Sequence, residues 1–174
     1  MGKFLTVLLL GCTLVAGVSL YYLQVYAYYD EVAANGSTDV LLTPAAGEAP
    51  EAIAYTDFRA IDADSSPIRY RACFATPLTP ETLAETYVPY EGAEPLVAPG
   101  WFGCFDAEEI GEALEAGTAR AFLGTANIHY GIDRIVAVTE DGRGYVWHQI
   151  NRCGEIVFDG NPVPEDCPKP PDGL

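Results

Sequence analysis

The chain has 174 residues, of which 25 are acidic and nine basic, giving a formal net charge of −16, and it carries five cysteines. So negative a balance excludes nucleic acid, or an anionic membrane surface gripped through a basic face, as partners, because both need clustered Lys and Arg. A basic protein partner stays open beside the plainer reading of a solvated acidic surface, and the length allows one domain with a lead-in but not two ordinary domains.

From Phe4 to Leu23 the residues are Leu, Val, Gly, Ala, Phe and Thr in the main, without a charge. At about 1.5 Å per residue a run of this length crosses a hydrocarbon core of about 30 Å, so one transmembrane helix is expected. Lys3 precedes the run and Asp30 and Glu31 follow it. The positive-inside tendency then places the N-terminus in the cytoplasm and everything after the helix outside it. Tyr21, Tyr22, Tyr26, Tyr28 and Tyr29 crowd the outer end as an aromatic belt. Leu9-Leu10-Gly11-Cys12 has the look of a lipoprotein box, but the chain stays apolar beyond Cys12. A signal peptide cut near Val18 and Ser19 would leave a new terminus rich in Tyr and apolar residues. An uncleaved anchor over residues 1–29 is the favoured reading. Thr13 with Gly17, or Cys12 with Ala16, fits a small-xxx-small contact, a pattern common in any Gly/Ala-rich span.

Residues 30–52 are dominated by Ala, Gly, Pro, Glu and Asn and read as a linker or poorly packed lead-in that holds the domain off the membrane, with Val40 to Leu42 able to dock as an edge strand. The domain is expected over 53–174. Ile53, Tyr55, Phe58 and Ile61, then the polar stretch Asp62 to Pro67, then Ile68, Tyr70, Ala72 and Phe74 alternating with polar positions, make a hairpin signature. Asp62-x-Asp64-x-Ser66 resembles the start of a calcium loop, but Pro67 stands where glycine is needed and no glutamate closes it. Thr79 and Pro80 open a short helix over Glu81 to Tyr87, ended by Pro89. An irregular loop follows, whose Trp101, Phe102 and Phe105 bracket Cys104. Asp106 with Glu109 forms a capping-box arrangement for a second helix that buries Ile110 and Leu114 and ends at Gly117. Ile132 to Thr139 and Tyr145 to Ile150, joined by Glu140 to Gly144, form the clearest hairpin, its first strand apolar on both faces and hence central. Ile156 to Phe158 is expected as a last strand before a Pro-rich end. The fold class is α+β: an antiparallel sheet of about five strands with about two helices on one side.

Beyond Cys12 in the apolar run, Cys73, Cys104, Cys153 and Cys167 make an even set that fits two disulfides in an oxidising compartment. Three pairings are open. Cys73 with Cys104 and Cys153 with Cys167 is favoured, because the second pair closes a short loop rich in Gly and Pro. No Cys-x-x-Cys occurs, and no two Cys or His have the short spacing of a structural zinc motif, so no redox centre, metal or other cofactor is assigned.

Tyr21 to Tyr26, the block Ser66 to Phe74, Trp101 to Asp106, and the pattern from Gly131-Ile-Asp-Arg134 through Asp141-Gly-Arg-Gly144 to His148 and Cys153 together resemble one family. It is a set of short single-pass membrane proteins of Rhodobacter-like alphaproteobacteria catalogued as a domain of unknown function. The resemblance implies a bacterial inner membrane with a periplasmic domain, and brings no catalytic residue.

His148 with Asp133 or Asp141 and Ser65 or Ser66 lacks the Gly-x-Ser-x-Gly elbow of a hydrolase triad, and no catalytic residue is assigned. Arg69, Arg71, Arg134 and Arg143 are scarce cations in an acidic domain, for which ion pairing with nearby carboxylates is the bland expectation. With His148 and Trp101 they are the candidate contacts for a partner or ligand. The favoured function is a non-enzymatic accessory protein that joins another membrane or periplasmic protein, which predicts an exposed apolar patch near the tyrosines. The alternative is a sensory or ligand-binding domain, or an enzyme of unrecognised chemistry. It predicts a hollow into which Arg69, Arg134 and His148 converge.

Overall fold

The computed structural model describes residues 2–47 and 49–171; Met1, Glu48 and residues 172–174, assigned above to anchor, linker and domain, lie outside them. Helix α1 runs Gly2–Tyr22, with no buried residue along it, and continues as a π turn, Leu23–Ala27. The Thr6 and Thr13 hydroxyls donate to carbonyls one turn back, at Gly2 and Leu9, so these two threonines are satisfied within the helix. The helix is long and apolar enough to cross a membrane. Its length and place fit a membrane anchor or a signal sequence.

Only Tyr28 and Tyr29 separate the π turn from the first strand, β1 (Asp30–Val32). That strand pairs antiparallel with β4 (Thr56–Asp62) at the edge of the main sheet. The expected linker over 30–52 is therefore part of the domain, entering its sheet at the first residue. Beyond β1, β2 (Leu41–Leu42) and β3 (Glu51–Ala52) pair with each other, and Val40 and Leu42 are wholly buried. A Gly/Ala/Pro-rich composition lowers local strand preference, but three aliphatic side chains in a row can still be captured by a neighbouring core.

The main sheet has six antiparallel strands in the order β1-β4-β5-β8-β7-β6, with β5 at Arg71–Ala75, β6 at Ala119–His129, β7 at Ile132–Thr139 and β8 at Arg143–Ile150. Both expected hairpins are present, β4 with β5 and β7 with β8. β7 is an interior strand, between β8 and the edge strand β6, and is buried along nearly all its length. The chain passes from β5 to the far edge through helices α2 (Pro80–Ala84) and α3 (Ala107–Ala116). Thr79 caps α2, and the Asp106 carboxylate accepts from the N–H groups of Glu108 and Glu109 to start α3, which stops at Gly117 in the left-handed region, φ 77°.

The helices do not share one side of the sheet, as expected from sequence. Leu83 of α2 packs with Phe122, Val136, Val138 and Val146 on one face, under Val40, Leu42 and Ile53. Ile110 of α3 packs with Ile135, Ala137, Tyr145 and Trp147 on the other, under Phe102 and Phe105. Strand alternation forces this split: neighbouring residues of β7 and β8 feed opposite faces, and both faces are apolar.

The segment expected as a last strand is a helix, α4 (Arg152–Phe158). Its β-branched end, Ile156 and Val157, favours a strand locally, but Asn151 overrides that preference by accepting the Gly154 N–H at 3.0 Å as a side-chain cap. The disulfides are Cys73–Cys104, which ties β5 to the loop before α3, and Cys153–Cys167, which ties α4 to the Pro-rich tail.

Candidate functional site

Trp101 lies at the junction of helix and domain. Its indole N–H donates at 2.6 Å to the Val25 carbonyl, inside the π turn, where the helical hydrogen-bond register is shifted. Its ring stacks on Tyr26 at 6.4 Å and meets Tyr29 edge-on at 6.2 Å. Tyr21, Tyr22, Tyr26 and Tyr29 thus form one aromatic seam with the domain's own Trp101 and Phe102.

Arg71, at the start of β5, is buried on the face that carries Trp147 and lies over the Phe105 ring. Its Nε donates to the Leu96 carbonyl at 2.7 Å and its guanidinium nitrogens to those of Ile68, Tyr70 and Val97. Among the described residues no carboxylate pairs with it. Burial pulls its pKa down to about 10, still well above neutrality, so it remains a cation, hydrogen-bonded to carbonyl oxygens and lying over the Phe105 ring. Gln149 pins the same loop from β8, accepting the Glu94 N–H at 2.8 Å and donating to the Gly92 carbonyl at 2.9 Å. These bonds explain how residues 90–105 cover a sheet face with little regular structure.

Arg69 points to a different use. Its guanidinium sits over the Tyr29 ring, 5.6 Å from the centroid, and makes no hydrogen bond or ion pair among the described residues. Together with Tyr21, Gln24, Tyr29 and Ser66 it lines a cleft of about 700 Å³ at the foot of α1.

Arg134 and His148 are cross-strand partners on the opposite face of the sheet. Arg134 Nε donates to His148 Nε2 at 3.0 Å, and its guanidinium stacks over Tyr70 at 4.3 Å. His148 is parallel to Tyr70 at 4.9 Å and its Nδ1–H donates to the Pro67 carbonyl at 2.7 Å. Both imidazole nitrogens are therefore used, one as donor and one as acceptor, which fixes the neutral tautomer. Burial pushes the pKa down to about 4, with the Arg134 charge acting the same way. Among the described residues the ring bonds to Arg134 and to the Pro67 carbonyl and to no carboxylate, which is not the arrangement of a hydrolase triad.

Arg143 is half-exposed at the β7–β8 turn and pairs with Glu109 at 2.7 Å and Asp141 at 2.8 Å. Glu109 thus reaches across to the turn instead of back to its own helix start, and the capping box is completed only from the Asp106 side. Ion pairing, the bland expectation for the scarce arginines, describes Arg143; Arg71 uses carbonyls, Arg134 a histidine and a tyrosine ring, and Arg69 a tyrosine ring. The six candidate contacts fall in separate places: Trp101, Arg69 and Arg71 around the foot of α1, Arg134 and His148 across the sheet, Arg143 at a turn.

Sequence reasoning missed two polar knots. Asp133, buried in β7, accepts from the Asn127 N–H and the Asn151 side chain, each at 2.8 Å, and from the Tyr90 hydroxyl at 3.2 Å. Burial, with Asp133 beside it, raises the Tyr90 pKa. Asp39 accepts from the Tyr55 hydroxyl and from the N–H groups of Asn35 and Gly36. Burial alone would raise its pKa, but those hydrogen bonds hold it below the usual carboxylate value. For Asp133 the one available signal was a charged residue at the start of a largely apolar strand; Asp39 had none. Among the described residues no group of His, Cys, Asp or Glu converges as metal ligands.

Fold and geometry define a class: a small antiparallel α+β domain, stapled by two disulfides and continuous with an N-terminal apolar helix. The disulfides fit an oxidising compartment. A family of unknown function, DUF6446, matches residues 40–168, and the chain belongs to that family. No curated protein and no solved structure matches it. The apolar helix, the tyrosines and β1 precede the matched span.

Proposed function

We propose that the protein is a membrane-anchored accessory protein of a larger inner-membrane complex, with its N-terminus in the cytoplasm and its domain in the periplasm. The observation that carries this reading is the short, hydrogen-bonded junction between helix and domain. A domain meant to work on free solutes gains from a flexible tether. Here two residues separate the π turn from β1, and the Trp101 indole closes the angle by bonding to Val25. Helix and domain then present one continuous surface, uncovered along the whole of α1, to a neighbour that spans the membrane and projects from it. The exposed apolar side chains near the tyrosines, Val97 at 80 % exposure above all, favour the same reading. The rival ligand-binding reading needs Arg69, Arg134 and His148 around one hollow, and the cleft lined by Arg69 includes neither of the others.

Mild-detergent purification of the full-length chain through a C-terminal tag, followed by mass spectrometry of what accompanies it and of its own N-terminus, tests the proposal. A stoichiometric membrane complex, with an intact N-terminus, is the expected result. A protein that migrates alone at every detergent strength, or that begins after residue 17, overturns it.

A further inference from the structure

We propose that the cleft at the foot of α1 holds the phosphodiester headgroup of one membrane phospholipid, with Arg69 as its cation and Ser66 and Gln24 as neutral donors. The inference rests on α1 being an uncleaved membrane anchor and not on the accessory role. Three observations converge. The first is depth: the cleft is lined by Tyr21, at the end of the apolar run, and by Gln24, Val25 and Tyr29, which follow it, so it stands where headgroups lie. The second is unspent donor capacity: the Arg69 guanidinium, the Ser66 hydroxyl and the Gln24 amide all line the cleft and make no side-chain hydrogen bond among the described residues. Arg71, in the same wall, is consumed by carbonyls and adds only its positive field. The third is shape: Val97, 80 % exposed, stands on the rim of a cleft of about 700 Å³ whose walls mix the polar Arg69, Ser66 and Gln24 with apolar side chains, and offers an aliphatic contact to an acyl chain.

Charge selects the anion. The walls include two arginines and no carboxylate, in a chain of net charge −16. A planar guanidinium fixed over the Tyr29 ring presents its N–H fork to phosphate oxygens. The acidic remainder of the domain opposes flat adhesion to an anionic surface, which confines recognition to a single lipid in a single cleft.

The full-length chain, delipidated in mild detergent and shown by intact mass to retain residues 1–29, is titrated with dioleoylphosphatidylglycerol, dioleoylphosphatidylethanolamine, phosphate-free dioleoylglycerol and inorganic phosphate, and bound species are counted by native mass spectrometry. One equivalent of either phospholipid is expected, at least about tenfold weaker binding of dioleoylglycerol, and no retention of inorganic phosphate. Arg69→Ala should lose at least about tenfold in phospholipid affinity, with Arg69→Lys between it and the native chain and melting temperatures unchanged for both. Equal binding by Arg69→Ala, or by dioleoylglycerol, overturns the proposal, and inorganic phosphate binding alone marks a soluble-anion site instead. A chain that keeps its anchor and its lipid but purifies without partners removes the accessory reading and leaves this one standing.

Discussion

Arg71 carries a full charge into the sheet with no carboxylate paired to it among the described residues; its bonds to Leu96 and Val97 help hold the irregular loop against β5, and those to Ile68 and Tyr70 brace the approach to the strand. Arg71→Ala leaves those carbonyls without a donor, and should lower stability by about 2–4 kcal/mol in denaturant unfolding of the detergent-solubilised chain. Arg71→Lys, whose ammonium cannot span four carbonyls from one position, should recover only part of that. His148 makes a pH prediction. Its folded pKa of about 4 lies below the ordinary 6.5, so between those values the unfolded chain binds the proton that the buried ring refuses. Stability from this group is complete above pH 6.5 and is lost as pH falls toward 4, by up to about 3 kcal/mol. The Asp39 and Asp141 carboxyls, both held below their usual 3.8, lose their contribution only at still lower pH. His148→Gln, which keeps a donor and an acceptor, should flatten the slope of unfolding free energy between pH 6.5 and 4. An unchanged slope would assign the titration elsewhere.

Helix α4 docks through two glycines. Gly131, at φ 72°, and Gly154 approach so closely that a methyl group on Gly154 would run into the Gly131 carbonyl. Gly154→Ala should cost about 1–3 kcal/mol and raise hydrogen exchange across α4 while β7 and β8 stay protected. The same kind of close approach occurs in the sheet, where the Phe74 ring covers Gly144 on the adjacent strand. None of this is visible in the alphabet of residues, which explains what the sequence does and does not disclose. Elements with one dominant signal are legible: the charge-free run of α1, the Asp106 cap of α3, the alternation of β7 and the Gly-rich turn into β8. Ile156 to Phe158 is not, because a single side-chain cap at Asn151 outweighs three strand-favouring residues. The long edge strand β6 has no such signal either. Its Ala- and Gly-rich residues are interrupted by register shifts near Gly124 and Asn127, so the period of two never persists. The candidate site was legible as residue types only. That Arg69 stays unpaired among the described residues while Arg71, two positions on, is exhausted depends in part on a loop that the sequence leaves without regular structure.

At the scale of the whole molecule the decisive feature is that helix and sheet are joined without slack. The expected linker would let the domain tumble; instead the chain passes from Ala27 to Asp30 and is at once in a ladder, Asp30 opposite Asp62 and Val32 opposite Ala60. The short path fixes the distance between helix and domain, but two free residues still permit a hinge. It is Trp101 that removes the hinge, by a bond to Val25 and by stacking on Tyr26. Removing the indole should therefore change orientation without changing the fold: Trp101→Ala is expected to open the segment around Tyr26 to Tyr29 to chymotrypsin at least about tenfold faster, while the disulfide-linked domain resists as before. Trp101→Phe keeps the ring and loses only the N–H, and should fall between the two. If both variants are cut at the native rate, the aromatic seam is not what holds the angle, and rigidity must come from the β1–β4 pairing alone. If the domain itself is degraded, Trp101 supports the core that it touches through Phe102, and the junction has no separate mechanical role.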